Sequence, residues 1–400
     1  MTIPVIDRQQ FPAVVRDGDG WRERYDALRE AHPYFRVEGD PAVWFTRYDA
    51  CREILVNGEL FWEGGWGQAV RQDRAGGWEL DPAWDETSAE EGVRRHIAVR
   101  QALMPKFGPA EATAWEGRMR AVANELIDRF EAKGEADFVS AFSKAYFPYI
   151  GAELLGAPRE DWDMLVEWEH EVFKVPAHAA SPLLNMNNQA MENIIAYVSD
   201  LIEAKRRVPD DRFVSHVLRA QAEGVLTEKE VRWASTIFVL GSGHTVTAHL
   251  GYLFRHFADH PDLQTKIARE PESVNVMCEE LLRVYSLFGH PRTVTADTDF
   301  HGCSLRKGDK VFVFYGIANR DPRAAGFDHV ELDRKVNRHL AFNQGWRQCL
   351  GMHFARRARN IAVQEWHRRI PSYRLKPGAR LVEQVYAGVG YHDLPLVWGG

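Results

Sequence analysis

The sequence predicts a mainly helical fold with a smaller β portion. Helical periodicity runs, with breaks, from about Glu91 to His260. Short strand-like segments lie near residues 35–46 and 290–342, separated by turn residues. A glycine-flanked cysteine near the C-terminus leads into a pattern rich in Ala and Arg, which reads as another helix.

Trp21 to His32 reads as the first helix. Two short strands follow, Phe35–Val37 and Ala42–Thr46, and then a helix from about Tyr48 to Val56. Residues 57 to 90 are irregular, with glycines at 64, 65, 67, 76 and 77. A loop that long in a compact domain is usually functional. Thr227-Glu-Lys-Glu230 is a capping box that starts a helix. Its periodicity passes Trp233, Ile237, Leu240, His244, Leu250 and Phe254 and reaches His260. That is roughly 30 residues, or ~45 Å. Gly241-Ser242-Gly243 sits in the middle. A glycine inside a helix costs up to ~1 kcal/mol relative to Ala. Two of them there point to close approach of a ligand or of another helix. Beyond Pro291 the pattern turns to short strands and loops up to Phe342. A helix from about Leu350 to Arg368 comes next, and the C-terminus reads as short strands.

Composition narrows the class. The chain has 400 residues, 45% of them hydrophobic, enough for a sizeable core. Length alone suggests two to three domains at ~150 residues each. Four cysteines without regular spacing argue against a disulfide framework and for a reducing compartment. Cys51, Cys278 and Cys303 read as buried small hydrophobes. The first thirty residues are rich in charge and resemble neither a signal peptide nor a membrane anchor. No apolar run approaches the ~20 residues of a membrane span. A soluble, cytoplasmic protein is expected. The formal net charge of −7 makes nucleic acid an unfitting partner.

The chemistry concentrates in Phe342-Asn-Gln-Gly345-Trp-Arg347-Gln-Cys349-Leu-Gly351. One cysteine lies on a tight loop just ahead of a helix. A helix N-terminus offers unpaired N–H groups and positive potential, which favour a thiolate. The glycines let the backbone approach something flat and bulky. A thiolate presented to a planar macrocycle is one way to hold heme iron. Two other readings stand beside it: a buried small hydrophobe, or half of a metal or catalytic pair with His353. No second Cys/His pair has zinc-type spacing.

This loop resembles the heme-ligand loop of the cytochrome P450 family, Phe-x-x-Gly-x-Arg/His-x-Cys-x-Gly, and every fixed position is met. Glu280-Leu-Leu-Arg283 matches Glu-x-x-Arg, whose charges at i and i+3 share one helix face. The resemblance implies a buried pair joined by a later basic residue; Arg334, Arg338 and His339 are candidates for that role or for nearby support. His96-Ile-Ala-Val-Arg100 matches His-x-x-x-Arg. With Arg292 and Arg347, the resemblance assigns these two residues to the heme propionates. Asn319-Arg-Asp321-Pro and Asn337-Arg-His339-Leu-Ala-Phe342 match in the same order. The likeness covers roughly residues 20 to 395, so the estimate from length gives way to a single heme-binding domain over residues 1–400. The implied cofactor is heme b (iron protoporphyrin IX), with Cys349 as metal ligand and Phe342 and Gly351 completing its loop.

The chain departs from the family in the long helix. The family pattern there is Ala/Gly-Gly-x-Asp/Glu-Thr. Anchored on Gly243, it places Thr245 at the acid and Val246 at the threonine. Thr247 follows, but one residue is a turn of about 100° around a helix. The acid–alcohol pair that relays protons is absent, so Ser242, Gly243, Thr245 and Val246 mark the catalytic segment. The resemblance places the substrate pocket under the loop after the second helix, with Phe61, Trp62, Trp66, Trp78 and Trp84, and beside Leu287, Phe288, Tyr386 and Tyr391. These side chains suit an apolar or aromatic small molecule. Arg356, Arg357 and Arg359 would steer an acidic electron donor of ferredoxin or flavodoxin type. The implied reaction is monooxygenation with dioxygen and electrons from that separate partner. Oxidative coupling, desaturation, peroxide-driven chemistry and non-catalytic heme binding remain open.

Overall fold

The structure is a computed structural model. It describes residues 3–7, 15–17, 21–62, 89–173, 188–286, 289–324, 326–327, 329–385 and 389–399. The chain begins with β1 (Val5–Ile6), β2 (Val15–Asp17), α1 (Trp21–Ala31), β3 (Tyr34–Val37), β4 (Val43–Phe45), α2 (Tyr48–Val56) and β5 (Phe61–Trp62). The α2 bounds are those expected from the sequence. The helical part holds α3 (Ala89–Leu103), α4 (Pro109–Ala114), α5 (Glu116–Asp128), strand β6 (Glu135–Asp137), α6 (Lys144–Leu155), α7 (Trp162–Val172), α8 (Asn188–Arg207) and α9 (Phe213–Ala222). It continues through α10 (Glu228–Gly241), α11 (His244–Asp259), α12 (Pro261–Arg269) and α13 (Val274–Val284). Then come β7 (Gly289–Val294), β8 (Thr298–Phe300), β9 (Cys303–Leu305), β10 (Lys310–Phe314) and α14 (Tyr315–Ala318). The chain closes with α15 (Met352–Arg369), β11 (Arg374–Leu375), β12 (Val382–Val385), β13 (Val389–Tyr391) and β14 (Pro395–Val397).

The largest sheet has the order β1-β3-β4-β10-β7-β5. Strand β10 pairs parallel with β4, Phe312 opposite Trp44, and antiparallel with β7, Val311 opposite Arg292. Pairing β7 with β5 as well brings Trp62 beside Thr293. This places the segments before residue 63 next to those after residue 289, over one β surface. Strand β6 was read as part of a helical run. Its three residues, Glu-Ala-Asp, carry little strand propensity. It forms because the C-terminal β14 pairs with it, Leu396 opposite Ala136.

The helical core gathers around Trp366 on α15, which is fully buried. Phe130, Phe138, Phe142, Phe254, Tyr373 and Trp398 surround it at ring-centroid distances of 5.1 to 5.9 Å. Pairs at these separations add to the area each ring buries. The result anchors the C-terminal half of α15, the helix whose first residue follows the Cys349 loop. The three other cysteines are buried, as the sequence implied. Burial pushes the Cys278 thiol up to about 12 and the Cys303 thiol to about 11.

The expected single long helix is two. The capping box forms at Thr227, with Glu230 returning its carboxylate to the Thr227 N–H at 2.8 Å. Helix α10 then stops at Gly241, Gly243 turns to φ −122° and ψ −86°, and α11 restarts at His244. The reason is steric and electrostatic. A Cβ at Gly243 would lie 2.4 Å from Glu169 Oε2, so the carboxylate of α7 occupies the place a side chain would need. Its other oxygen accepts the His244 N–H at 2.9 Å and so caps the first turn of α11.

Candidate active site

Cys349 lies between a short turn, Gly345–Arg347, and the start of α15. Gly345 adopts φ +68°, where a Cβ would also press 3.0 Å against Val56 of α2. The Cys349 N–H donates to Phe342 O at 2.7 Å and closes the loop on itself. Arg356 lies 4.6 Å from the Phe342 ring, and its guanidinium pairs with Glu279 of α13. The loop is thereby tied to two helices.

Cys349 is exposed and borders a cavity of about 410 Å³. That setting corrects one expectation. Burial raises the thiol above its ordinary range; the Gly351 N–H and the charges of Arg100 and Arg356 oppose this without overcoming it. The helix N-terminus does not make a thiolate by itself, because desolvation of the anion costs more than the nearby dipoles return. A metal cation at the sulfur would reverse the balance.

His96 and Arg100, one turn apart on α3, both face this cavity, as do Phe342, Arg347, Cys349 and Gly351. Arg292 is buried on β7, behind the cavity wall. Burial, then the charges of Arg347, Arg100 and Arg292, press the His96 pKa well below the ordinary range. Three guanidinium groups thus converge on one buried histidine. Arg100 forms no ion pair among the described residues, and burial lowers its pKa too. Such a concentration of cations beside a cysteine sulfur fits a flat group that carries carboxylates on one edge. Among the described residues no group of three or more His, Cys, Asp or Glu is placed to hold a metal ion, so a cluster built on Cys349 and His353 is not formed.

The Glu280–Arg283 pair is fully buried, with contacts of 2.6 and 2.9 Å. Of the three candidate partners, Arg334 joins it, Nε to Glu280 Oε2 at 3.0 Å. Asn337 adds 2.7 Å to the same oxygen, and the Glu331 N–H donates 2.9 Å to the other. Arg283 in turn donates to the carbonyls of Asn319 and His329. A buried pair with every oxygen satisfied fixes geometry even where its net stabilisation is small. Among the described residues, Arg338 offers the carbonyl that accepts from the Tyr48 hydroxyl and does not reach the Glu280–Arg283 pair.

His339 lends support one residue away, and the basic cluster was misjudged, because Glu279 was overlooked beside its neighbour. Its carboxylate accepts from His339 at 2.9 Å and Arg356 at 2.9 Å, and lies 3.3 Å from Arg359. Burial works against its charge, but these partners hold it well below the usual carboxylate range. Arg359 is 2% exposed and is not part of a surface patch. Arg356 is largely enclosed, while Arg357 remains substantially exposed, 2.9 Å from Glu116.

The far wall of the cavity comes from α6, α10 and α11. Gly241, Ser242, Thr245 and Val246 border it, whereas Gly243 does not. The Ser242 hydroxyl donates to Val239 O at 3.0 Å. Thr247 turns away and donates to Ser143 O at 2.9 Å, so it does not replace the missing threonine. Phe107, Phe147, Phe213, Trp233 and Phe238 supply apolar surface from three helices and the turn after α3. No local sequence signal announced these, since they converge only through folding. Three expected pocket residues lie elsewhere. Phe61 is fully buried in the sheet-side core, 4.8 Å from Phe300. Trp62 stacks on Trp346 at 5.4 Å and fills the space left by Gly92, pinning the cysteine loop. Tyr391 packs into the core at 5.0 Å from Tyr252. Trp66, Trp78, Trp84, Leu287, Phe288 and Tyr386 lie outside the described residues.

His244 was read only as a spacer, yet it borders the cavity. Its Nδ1 lies 2.9 Å from Glu169 Oε1, 75 positions earlier in the chain, and its ring packs against Phe173, tilted by 31° with centroids 3.7 Å apart. Burial would raise the Glu169 pKa, but hydrogen bonds and charge from His170 and His244 bring it to about 2.

A cysteine opening on a cavity, ringed by cations and floored by a buried Glu–Arg lock, defines a heme-thiolate protein. The family model for cytochrome P450 matches residues 30–365. The chain is 28% identical over 397 residues to the mycinamicin IV hydroxylase/epoxidase of Micromonospora griseorubida, covering 94% of this chain and 95% of the relative. It is 30% identical over 326 residues to the probable cytochrome P450 127A1 of Sinorhizobium fredii, covering 80% and 76%. CYP109E1 of Bacillus megaterium, solved with testosterone, superposes with a TM-score of 0.82 at 23% identity, over 98% of this chain and 99% of that one. The chain belongs to the cytochrome P450 family, with its fold, and is a heme-dependent monooxygenase that takes small-molecule substrates and redox partners. Among the described residues no helix is long and apolar enough to cross a membrane.

Proposed function

We propose that the whole chain forms one catalytic unit around heme b, with Cys349 as its thiolate ligand. His96, Arg100, Arg292 and Arg347 would hold the propionates, and Phe342 and Gly351 would shape the loop beneath the ring. Bound there, heme supplies dioxygen activation, to which a thiolate contributes electron density. The chain's own residues do the rest. The apolar wall holds a largely apolar small molecule and excludes water. The Glu280–Arg283–Arg334 lock keeps the cysteine loop in place. Electrons come from a ferredoxin or flavodoxin in the cytoplasm, docking on the face that carries Arg357. The observation that carries this reading is Cys349 opening on the same cavity as His96, Arg100 and Arg347.

A second reading has one specific observation in its favour. Val246 stands on the wall without a hydroxyl, which suits oxidative coupling or desaturation as well as hydroxylation. Product analysis separates these. The primary test is the absorption spectrum of the purified protein reduced under carbon monoxide, followed by a screen of apolar compounds for a low-spin to high-spin shift. A protein that purifies without heme, and does not take it up, would refute the reading.

A further inference from the structure

We propose that Glu169 and His244 form the proton relay of this cavity, in place of an acid–alcohol pair on the helix itself. The inference rests on the heme-thiolate reading and extends it to a residue pair that spans two helices. Monooxygenation consumes two protons with each dioxygen and pair of electrons; one oxygen atom enters the substrate and the other leaves as water. Those protons must cross an apolar wall. Of the residues on that wall, Thr245 and Ser242 carry hydroxyls, Val246 none, and Thr247 is turned to Ser143.

The geometry places an imidazole at this point. His244 borders the cavity at the break between α10 and α11, and Glu169 stands behind it. Glu169 is 2% exposed and does not itself border the cavity. It borders a separate void of about 10 Å³, which Ser242, Gly151 and Pro148 also line. That is about the size one water requires. Ser242 therefore borders both spaces, and His244 lies between the carboxylate and the cavity.

The chemistry follows from the contacts. An ionised carboxylate can only accept, so the His244 nitrogen beside it, Nδ1, carries a proton. Nε2 is then the nitrogen that gains and loses a proton. The charged ring gives up its Nε2 proton on the cavity side, and the neutral ring regains one there from water that enters the same cavity. Glu169 does not transfer the proton. It is a positioning residue, which fixes the tautomer and stabilises the imidazolium while staying ionised, the logic of a carboxylate behind a catalytic histidine. Among the described residues, Glu169 is the ionisable group in contact with His244, and His170 meets the same carboxylate, both on α7. The other side chains around the carboxylate, from α6, α7 and α10, carry none. Gly243 and Gly151 make the approach possible. A Cβ at the first would strike Glu169, and at the second would lie 2.8 Å from Ser242.

Two conservative variants separate a relay from a helix cap. Glu169→Gln keeps an acceptor for the His244 N–H but removes the charge. His244→Asn keeps a donor toward Glu169 but removes the ionisable nitrogen. Both are first checked for an unchanged ferrous carbonyl spectrum, so failure of the heme-thiolate reading shows separately. The functional probe needs no substrate: NADPH, a reductase and a plant-type ferredoxin drive dioxygen reduction in H₂O and D₂O across pH. A general acid is worth roughly 10²–10⁴ in rate. Each variant should slow dioxygen reduction at least tenfold and abolish the solvent isotope effect of the parent. The second readout is independent of turnover. In ¹⁵N-histidine-labelled ferrous carbonyl protein, the His244 signal should show Nδ1 protonated and Nε2 titrating, and Glu169→Gln should shift that titration to lower pH. Parent-like rates and isotope effects in both variants, or an Nε2 that keeps its proton at every pH, would overturn the proposal.

Discussion

Single side chains carry the departure of this protein from its family. Val246 occupies the position of the relay threonine and is nearly isosteric with it, so Val246→Thr should fold as the parent does. If His244 delivers protons, the added hydroxyl should leave dioxygen reduction and peroxide yield within about twofold of the parent. A large gain in coupling would assign the relay to the α11 hydroxyls instead. Glu169 makes a second prediction. Its folded pKa lies near 2, below the ordinary carboxylate range, so its ionised form contributes stability above that range. The contribution is lost as pH falls through the folded value. The stability gap between parent and Glu169→Gln should therefore be a few kcal/mol near pH ~5–6 and shrink below pH ~4.5, and the part owed to charge on His170 and His244 should fade as those rings lose their protons at higher pH. Thermal unfolding of both proteins across pH checks this; a gap that widens toward acid would contradict the sign. At this scale Cys349, His96 and Arg100 were legible because motif spacing places them on one loop and one helix face. Glu169 and His244 were not, because nothing local links residues 75 positions apart.

At the scale of elements, the break between α10 and α11 is the feature that shapes the site. The capping box at Thr227 and the two glycines were legible, but their joint consequence was not. Helical periodicity continues through Gly241-Ser242-Gly243 because the apolar positions keep their phase on either side. What interrupts the backbone is a carboxylate from α7, which no reading of α10 and α11 alone contains. Gly243→Ala tests this account. Its Cβ would meet Glu169 at 2.4 Å, and such overpacking costs about 1–3 kcal/mol. The variant should lose that much stability and, because Glu169 must retreat, weaken the solvent isotope effect as well. Gly241→Ala is the control: no atom lies within 4 Å of its Cβ position, so it should be tolerated. Equal damage from both would mean that helix bending, not the carboxylate, demands glycine here. Short strands were legible where they are apolar, as in β3 and β4. Strand β6 was not, since its pairing partner lies more than 250 residues away.

Across the whole molecule, charge is distributed more sparingly than the sequence implied. Of three arginines expected to greet an electron donor, Arg359 is buried against Glu279 and Arg356 is tied to the same carboxylate. Arg357→Glu should slow reduction by an acidic donor several-fold at low salt, with the effect fading as ionic strength rises. Arg359→Glu should instead unfold the proteins that carry it more readily, by about 3–5 kcal/mol, because it sets two carboxylates together in the interior. Stopped-flow reduction and denaturant titration distinguish the two; an Arg359→Glu protein of parent stability would place that side chain at the surface after all. The central claim is that Cys349 presents a thiolate to heme iron within this cavity. The most direct measurement is the Soret band of the ferrous carbonyl form, in the parent and in Cys349→Ser. The parent should show the red-shifted band of a thiolate-bound heme, and Cys349→Ser should lose it together with turnover. A parent spectrum typical of histidine ligation, or a Cys349→Ser protein that keeps the thiolate band, would contradict the account.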